Sequence, residues 1–122
     1  MKIFKKLFEG VDISTSSEKD RILLVETNDQ DAFLRSAVLS DANYEISRAK
    51  NCLEAFKTLT SGINFQAVVT AFLLPDGTAI ELLKRVQEQI PETVSIVVAD
   101  EIDESLILEA MQAGASYCIP TF

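Results

Sequence analysis

The chain has 122 residues, 48% hydrophobic and 25% charged, which fits one globular domain and argues against a disordered chain. Its formal net charge of −8 opposes phosphate backbones and so disfavours general nucleic-acid binding. The complete lack of His removes His-based triads, metal sites and proton shuttles.

In chain order, residues 1–9 come first. Ile3, Phe4, Leu7 and Phe8 fall at i, i+1, i+4 and i+5, one side of a short amphipathic helix, with Lys2, Lys5 and Lys6 on the other. Two turns are not stable alone, so this helix is expected to dock on its own domain, a second copy or a membrane surface, the last being the weakest option. Residues 10–20, rich in Ser and Asp, read as a linker. Residues 21–122 read as one domain.

Ile22-Leu23-Leu24-Val25 is a continuous apolar run, as a strand covered on both faces requires. Asn28 or Asp29 caps a helix whose expected inward residues are Phe33, Leu34, Ala37 and Val38. Tyr44–Ser47 is a second, shorter strand. Asn51 caps a helix with Leu53, Phe56 and Leu59 inward. Ala67–Ala71 is the third strand, ending in the loop Leu73-Leu74-Pro75-Asp76-Gly77. The next helix carries the clearest stripe, Ala79, Leu82, Leu83, Val86 and Ile90, and stops at Pro91. Val94–Ala99 is the fourth strand. Asp103 caps a helix with Ile107, Ala110 and Met111 inward, closed by Gly114. Ser116–Ile119 is the fifth strand. Five strands alternating with four helices predict an α/β, doubly wound, flavodoxin-like three-layer sandwich, with a parallel sheet of order 2-1-3-4-5.

Ligands of such a sheet sit beyond the carboxyl ends of its strands. The residues there are Glu26, Thr27 and Asn28, then Thr70 to Phe72, then Ala99 and Asp100, then Pro120 and Thr121. None of these turns holds a GxGxxG or GxxxxGK[ST] phosphate loop. Cys52 and Cys118 form no CxxC pair and read as buried thiols in a reducing compartment. No apolar run reaches bilayer length and no secretory signal is present, so a cytoplasmic address is expected.

Ile-Leu-Leu-Val-Glu (22–26), Ala-Lys-Asn-Cys-Leu-Glu-Ala-Phe (49–56), Leu-Leu-Pro-Asp-Gly (73–77) with Glu-Leu-Leu (81–83), and Ala-Met-Gln-Ala-Gly-Ala (110–115) stand in unbroken order. This ordered set resembles the response-regulator receiver (CheY-like) domains of bacterial two-component signalling, over Arg21 to Phe122. The resemblance implies a phosphorylation pocket, and this chain departs from it at most positions. Of the acidic pair that holds Mg²⁺ in the family, Glu26 is present and Thr27 replaces its partner. The phosphoacceptor Asp falls on Ala71. The switch Ser or Thr falls on Ala99, and the Lys that precedes a Pro falls near Pro120. The switch-like aromatic matches Tyr117. Asp76 and Asp100 are read as turn and loop residues, not as ligands of a substitute metal site with Glu26.

A methyl group cannot accept a phosphoryl group, and one carboxylate is a poor Mg²⁺ site. The expectation is therefore a non-enzymatic, phosphorylation-independent pseudo-receiver without cofactor or metal, held in one state because its repelling acidic cluster is gone. It would act by binding a protein partner, itself included as a homodimer. The rival reading is a sensor of a small ligand or ion in the vacated pocket at Thr27, Ala71, Ala99 and Asp100. The resemblance also implies a helix after the fifth strand. The chain stops at Phe122, and residues 2–9 are a candidate for that seat, the other readings being a free or tag-like tail, exchange with a second copy, or a membrane contact. Leu106 and Leu108, beside the fourth helix's stripe, are candidate interaction residues.

Overall fold

A computed structural model of the chain describes residues 20–122. The helix expected over residues 2–9, with Ile3, Phe4, Leu7 and Phe8, lies outside the described residues, as does the linker up to residue 19.

The elements are β1 (Arg21–Val25), α1 (Asp29–Asp41), β2 (Glu45–Ala49), α2 (Cys52–Leu59), β3 (Ala67–Ala71), β4 (Leu73–Leu74), β5 (Gly77–Thr78), α3 (Ala79–Gln89), β6 (Val94–Ala99), α4 (Glu104–Ala113) and β7 (Tyr117–Pro120). The main sheet is parallel, in the order β2-β1-β3-β6-β7. With the hairpin β4–β5 set aside, this is the doubly wound order 2-1-3-4-5 expected from the alternation of strands and helices. That two-residue hairpin was not anticipated. Leu73 pairs with Thr78 around the Pro75-Asp76 turn, where Gly77 adopts φ +146°. β2 and β7 sit one or two residues later than the strand patterns predict.

Each helix starts on a polar side chain that satisfies an orphan N–H. Asn28 accepts from the Asp31 amide at 2.9 Å, Asn51 from Glu54 at 2.8 Å, and Asp103 from Leu106 at 2.8 Å. Gly114 ends α4 in the left-handed region, at φ +112°.

The strands bury side chains on both faces. Ile22, Leu24, Ala67, Val69, Ile96, Val98 and Ile119 gather on the side of α1. Leu23, Val25, Val68, Leu82 and Val86 gather under α2 and α3, and Ile80, Leu83, Val97 and Ala110 under α3 and α4. The stripe predicted for α3 is buried, with Ile90 half-buried and Ile80 added to it.

Three helices turn differently from the expectation. In α1 the buried residues are Ala32, Arg35 and Leu39, while Phe33 (73% exposed), Leu34 (53%) and Ala37 face outward and Val38 is half-buried. In α2, Ala55 and Leu59 are buried, Phe56 is half-buried and Leu53 is exposed. In α4, Ala110 and Ala113 face the core, and Ile107 and Met111 are exposed. The pattern is shared. Each packed face includes Ala (Ala32, Ala55, and Ala110 with Ala113), and a larger apolar residue one position away (Phe33, Phe56, Met111) is left more exposed.

Candidate functional site

The carboxyl ends of β1, β3 and β6 converge on a cavity of about 400 Å³. Glu26, Asp31, Arg35, Ala71, Ala99 and Asp100 stand in its walls, with Phe72, Leu73 and Leu106 at the apolar side. A larger hollow of about 580 Å³ lies at the opposite strand ends, near Phe65 and Thr93, and brings no buried charge together.

Of the five pocket positions marked in the sequence, the structure assembles Glu26, Ala71 and Ala99 around the cavity. Thr27 and Pro120 are exposed and are not among its walls. Pro120 ends β7 opposite Ala99, and its neighbour Thr121 lines the cavity and donates its hydroxyl to the Asp100 carboxylate. Tyr117 is half-buried at the start of β7, opposite Ile96, and packs into the α1-side core. Leu106 lines the cavity, whereas Leu108 is 60% exposed on α4.

Glu26 is buried, and the Arg35 guanidinium, also buried, forms an ion pair with its Oε1. The Asn28 amide donates to Oε2 at 3.1 Å, so both carboxylate oxygens are engaged. Arg35 also lies over the Phe122 ring at 5.9 Å, and its Nε has no hydrogen-bond partner among the described residues. Arg35 was not singled out in the sequence, although it lies three residues after Ala32 and four before Leu39, on one helical face.

A second arginine fixes the loop behind the site. From β2, Arg48 donates to the carbonyl of Glu26 through Nε (3.0 Å) and Nη2 (2.8 Å), to the carbonyl of Thr27 (3.2 Å) and to the Asp29 carboxylate (2.7 Å). The Arg48 bond and charge hold the Asp29 carboxyl below the usual carboxylate range.

Asp76 does not point at the cavity. It caps α2 across the loop, accepting from the amides of Cys52 (2.9 Å) and Leu53 (3.1 Å). The Cys52 amide, and less strongly the Leu53 amide, lower its pKa. A lowered carboxylate pKa adds stability above the unfolded value near 3.9, lost as pH falls through the folded value. Asp76→Asn should therefore be less stable than the native chain at neutral pH, with the gap narrowing as pH falls below the ordinary carboxylate range, checked by urea midpoints against pH. Cys52 and Cys118 are free and half-buried, and burial pushes both thiols up.

The donors do not suit Mg²⁺. Glu26 is neutralised by Arg35, Asp76 is committed to α2, and Ala71 and Thr27 bring no carboxylate. Among the described residues, no group of three or more Cys, Asp or Glu is placed to hold a metal ion. No described helix is long and apolar enough to cross a membrane.

Residues 22–120 match the response regulator receiver domain family. A two-component response regulator of rice (Oryza sativa subsp. japonica) is 26% identical over 98 residues, a match covering 77% of this chain and 58% of the rice protein. The chain thus spans a little over half the length of that relative. The non-phosphorylated HemR receiver domain of Leptospira biflexa superposes with a TM-score of 0.75 at 26% identity, over 84% of this chain and 82% of that one. A CheY-like receiver domain protein of Methanospirillum hungatei JF-1 has the same fold, with a TM-score of 0.78 at 22% identity and coverage of 84% and 82%. The chain belongs to the response regulator receiver family.

Proposed function

We propose that this receiver-family domain signals without phosphoryl transfer, as a module that binds a protein partner. The observation that carries the reading is the buried Arg35–Glu26 pair beside Ala71. In the family's terms Ala71 holds the phosphoacceptor position, and a methyl group offers no nucleophile. The one acidic residue kept at the metal position, Glu26, already has a permanent cation of the chain's own. Arg35 supplies internally the positive charge that a bound metal would bring, so the site is held in one electrostatic state.

With the pocket closed to that chemistry, function passes to the surface. Leu108 and Leu73 are exposed, and the half-buried Leu106 and Phe72 line the cavity together with Leu73. An apolar patch with acidic neighbours such as Asp100, Glu101 and Glu104 suits a partner segment combining apolar and basic side chains.

The test is thermal unfolding of the purified chain with millimolar Mg²⁺ and a small phosphodonor, separately and together. The expected result is an unchanged melting temperature and no phosphoprotein band. Ligand linkage would raise the melting temperature if either bound the native state, and a clear rise would overturn the reading.

The cavity supports a second reading. A volume of about 400 Å³ is large enough for a small ligand, with Phe72, Leu73 and Leu106 as apolar walls and Asp31, Asp100 and Thr121 as polar ones. A co-purified small molecule contacting Ala71 and Ala99 would favour this sensor over the binding module.

A further inference from the structure

Among the described residues, the helices cover the sheet unequally. α2, α3 and α4 pack on one face, and α1 is the sole described helix on the other, where it lies over β1 and β2. β3, β6 and β7 also turn apolar side chains to that face: Val69, Ile96, Val98 and Ile119, all buried, with half-buried Val94 and Tyr117. Phe122 packs beside them, but no described helix spans these three strands.

We propose that residues 2–9 form a helix that docks over β3, β6 and β7 and completes the α1 layer. Ile3, Phe4, Leu7 and Phe8 share one side of that helix, which suits an apolar face. Lys2, Lys5 and Lys6 then point to solvent, on a chain whose net charge of −8 attracts them. A helix of this length is not stable in isolation, so its order depends on the docking.

The chain path is short. β1 lies beside β3, and β6 is one strand further on. Adjacent strands are about 4.8 Å apart, so the sideways step from β1 to β6 is about 10 Å. The eleven residues 10–20 reach about 36 Å when extended, well beyond that step and a rise of one layer. A docked helix antiparallel to the strands ends at the sheet edge where Arg21 begins β1. Its eight residues span about 12 Å, against about 20 Å for the six residues of β6, covering a little over half that strand.

The test uses the full chain, its Phe4→Asp/Phe8→Asp variant, and the milder Phe4→Ala/Phe8→Ala variant in case the first fails to fold. Backbone amide spectra, melting temperature and solution mass are measured on each. Docking in cis predicts a monomer at all concentrations, a melting temperature lower by about 5 °C or more in the variants, and amide shifts concentrated at Val69, Ile96, Val98 and Ile119. Amides of α2 and α3, on the opposite face, should hold their positions. Unchanged melting and spectra would overturn the proposal, as would shifts confined to Phe33 and Leu34. A native dimer that the variants convert to monomer would assign the face to a second copy. Binding to anionic vesicles that the variants abolish, with melting unaltered, would assign residues 2–9 to a membrane; either outcome overturns cis docking.

Discussion

Arg35→Met should lower the unfolding free energy by about 3–5 kcal/mol, the cost of leaving a buried carboxylate without its counter-charge. Glu26 and Arg35 side chains are 8% and 6% exposed, so water cannot replace the lost guanidinium without opening the fold. Met keeps most of the aliphatic volume on α1, which separates the charge effect from a packing defect. The double variant Glu26→Gln/Arg35→Met removes both charges and should recover most of the loss, because desolvating an ion pair offsets much of its attraction. Denaturant titration of the native chain, the single variants Arg35→Met and Glu26→Gln, and the double variant gives the coupling energy directly. A single-variant loss below about 1 kcal/mol would mean that the pair is not buried in solution, in line with exposed pairs.

Leu39→Ala is expected to cost about 2–5 kcal/mol, and Leu34→Ala on the same helix no more than about 0.5 kcal/mol. Leu39 is fully buried against the sheet, whereas Leu34 is 53% exposed. The two substitutions remove the same atoms, so the difference reports which way α1 faces. Equal costs, or the reverse order in chemical denaturation, would show that α1 is turned by about one residue, and the Arg35–Glu26 pair would fall with it.

That contrast also shows where the sequence is legible. Long apolar runs placed β1, β3 and β6 well, and an amphipathic stripe placed α3, because both signals are local. The facing of α1 is not local. Phe33, Leu34, Ala37 and Val38 form an acceptable helical stripe, and so do Ala32, Arg35 and Leu39. A hydrophobicity count favours the first set. The fold takes the second, because a small residue lets the helix approach the sheet and Glu26, buried at the end of β1, draws a cation inward.

The same limit applies to the site. Glu26, Ala71 and Ala99 were identifiable because strand ends carry the ligand site of this architecture. Arg35 and Arg48 were not, since charged residues on a helix or an edge strand usually face water. The hairpin β4–β5 escaped because two residues per strand carry no periodicity.

The sheet edges have a consequence for assembly. Among the described residues, β2 and β7 are the two outermost strands. β7 ends in Pro120, which has no amide hydrogen to offer an incoming strand, and β2 carries Glu45 and Arg48, the first tied to Arg21 and the second to the loop after β1. Neither border therefore makes a good template for adding another chain edge to edge. Open-ended growth edge to edge is discouraged at both sides, which leaves the helix faces as the surface for association.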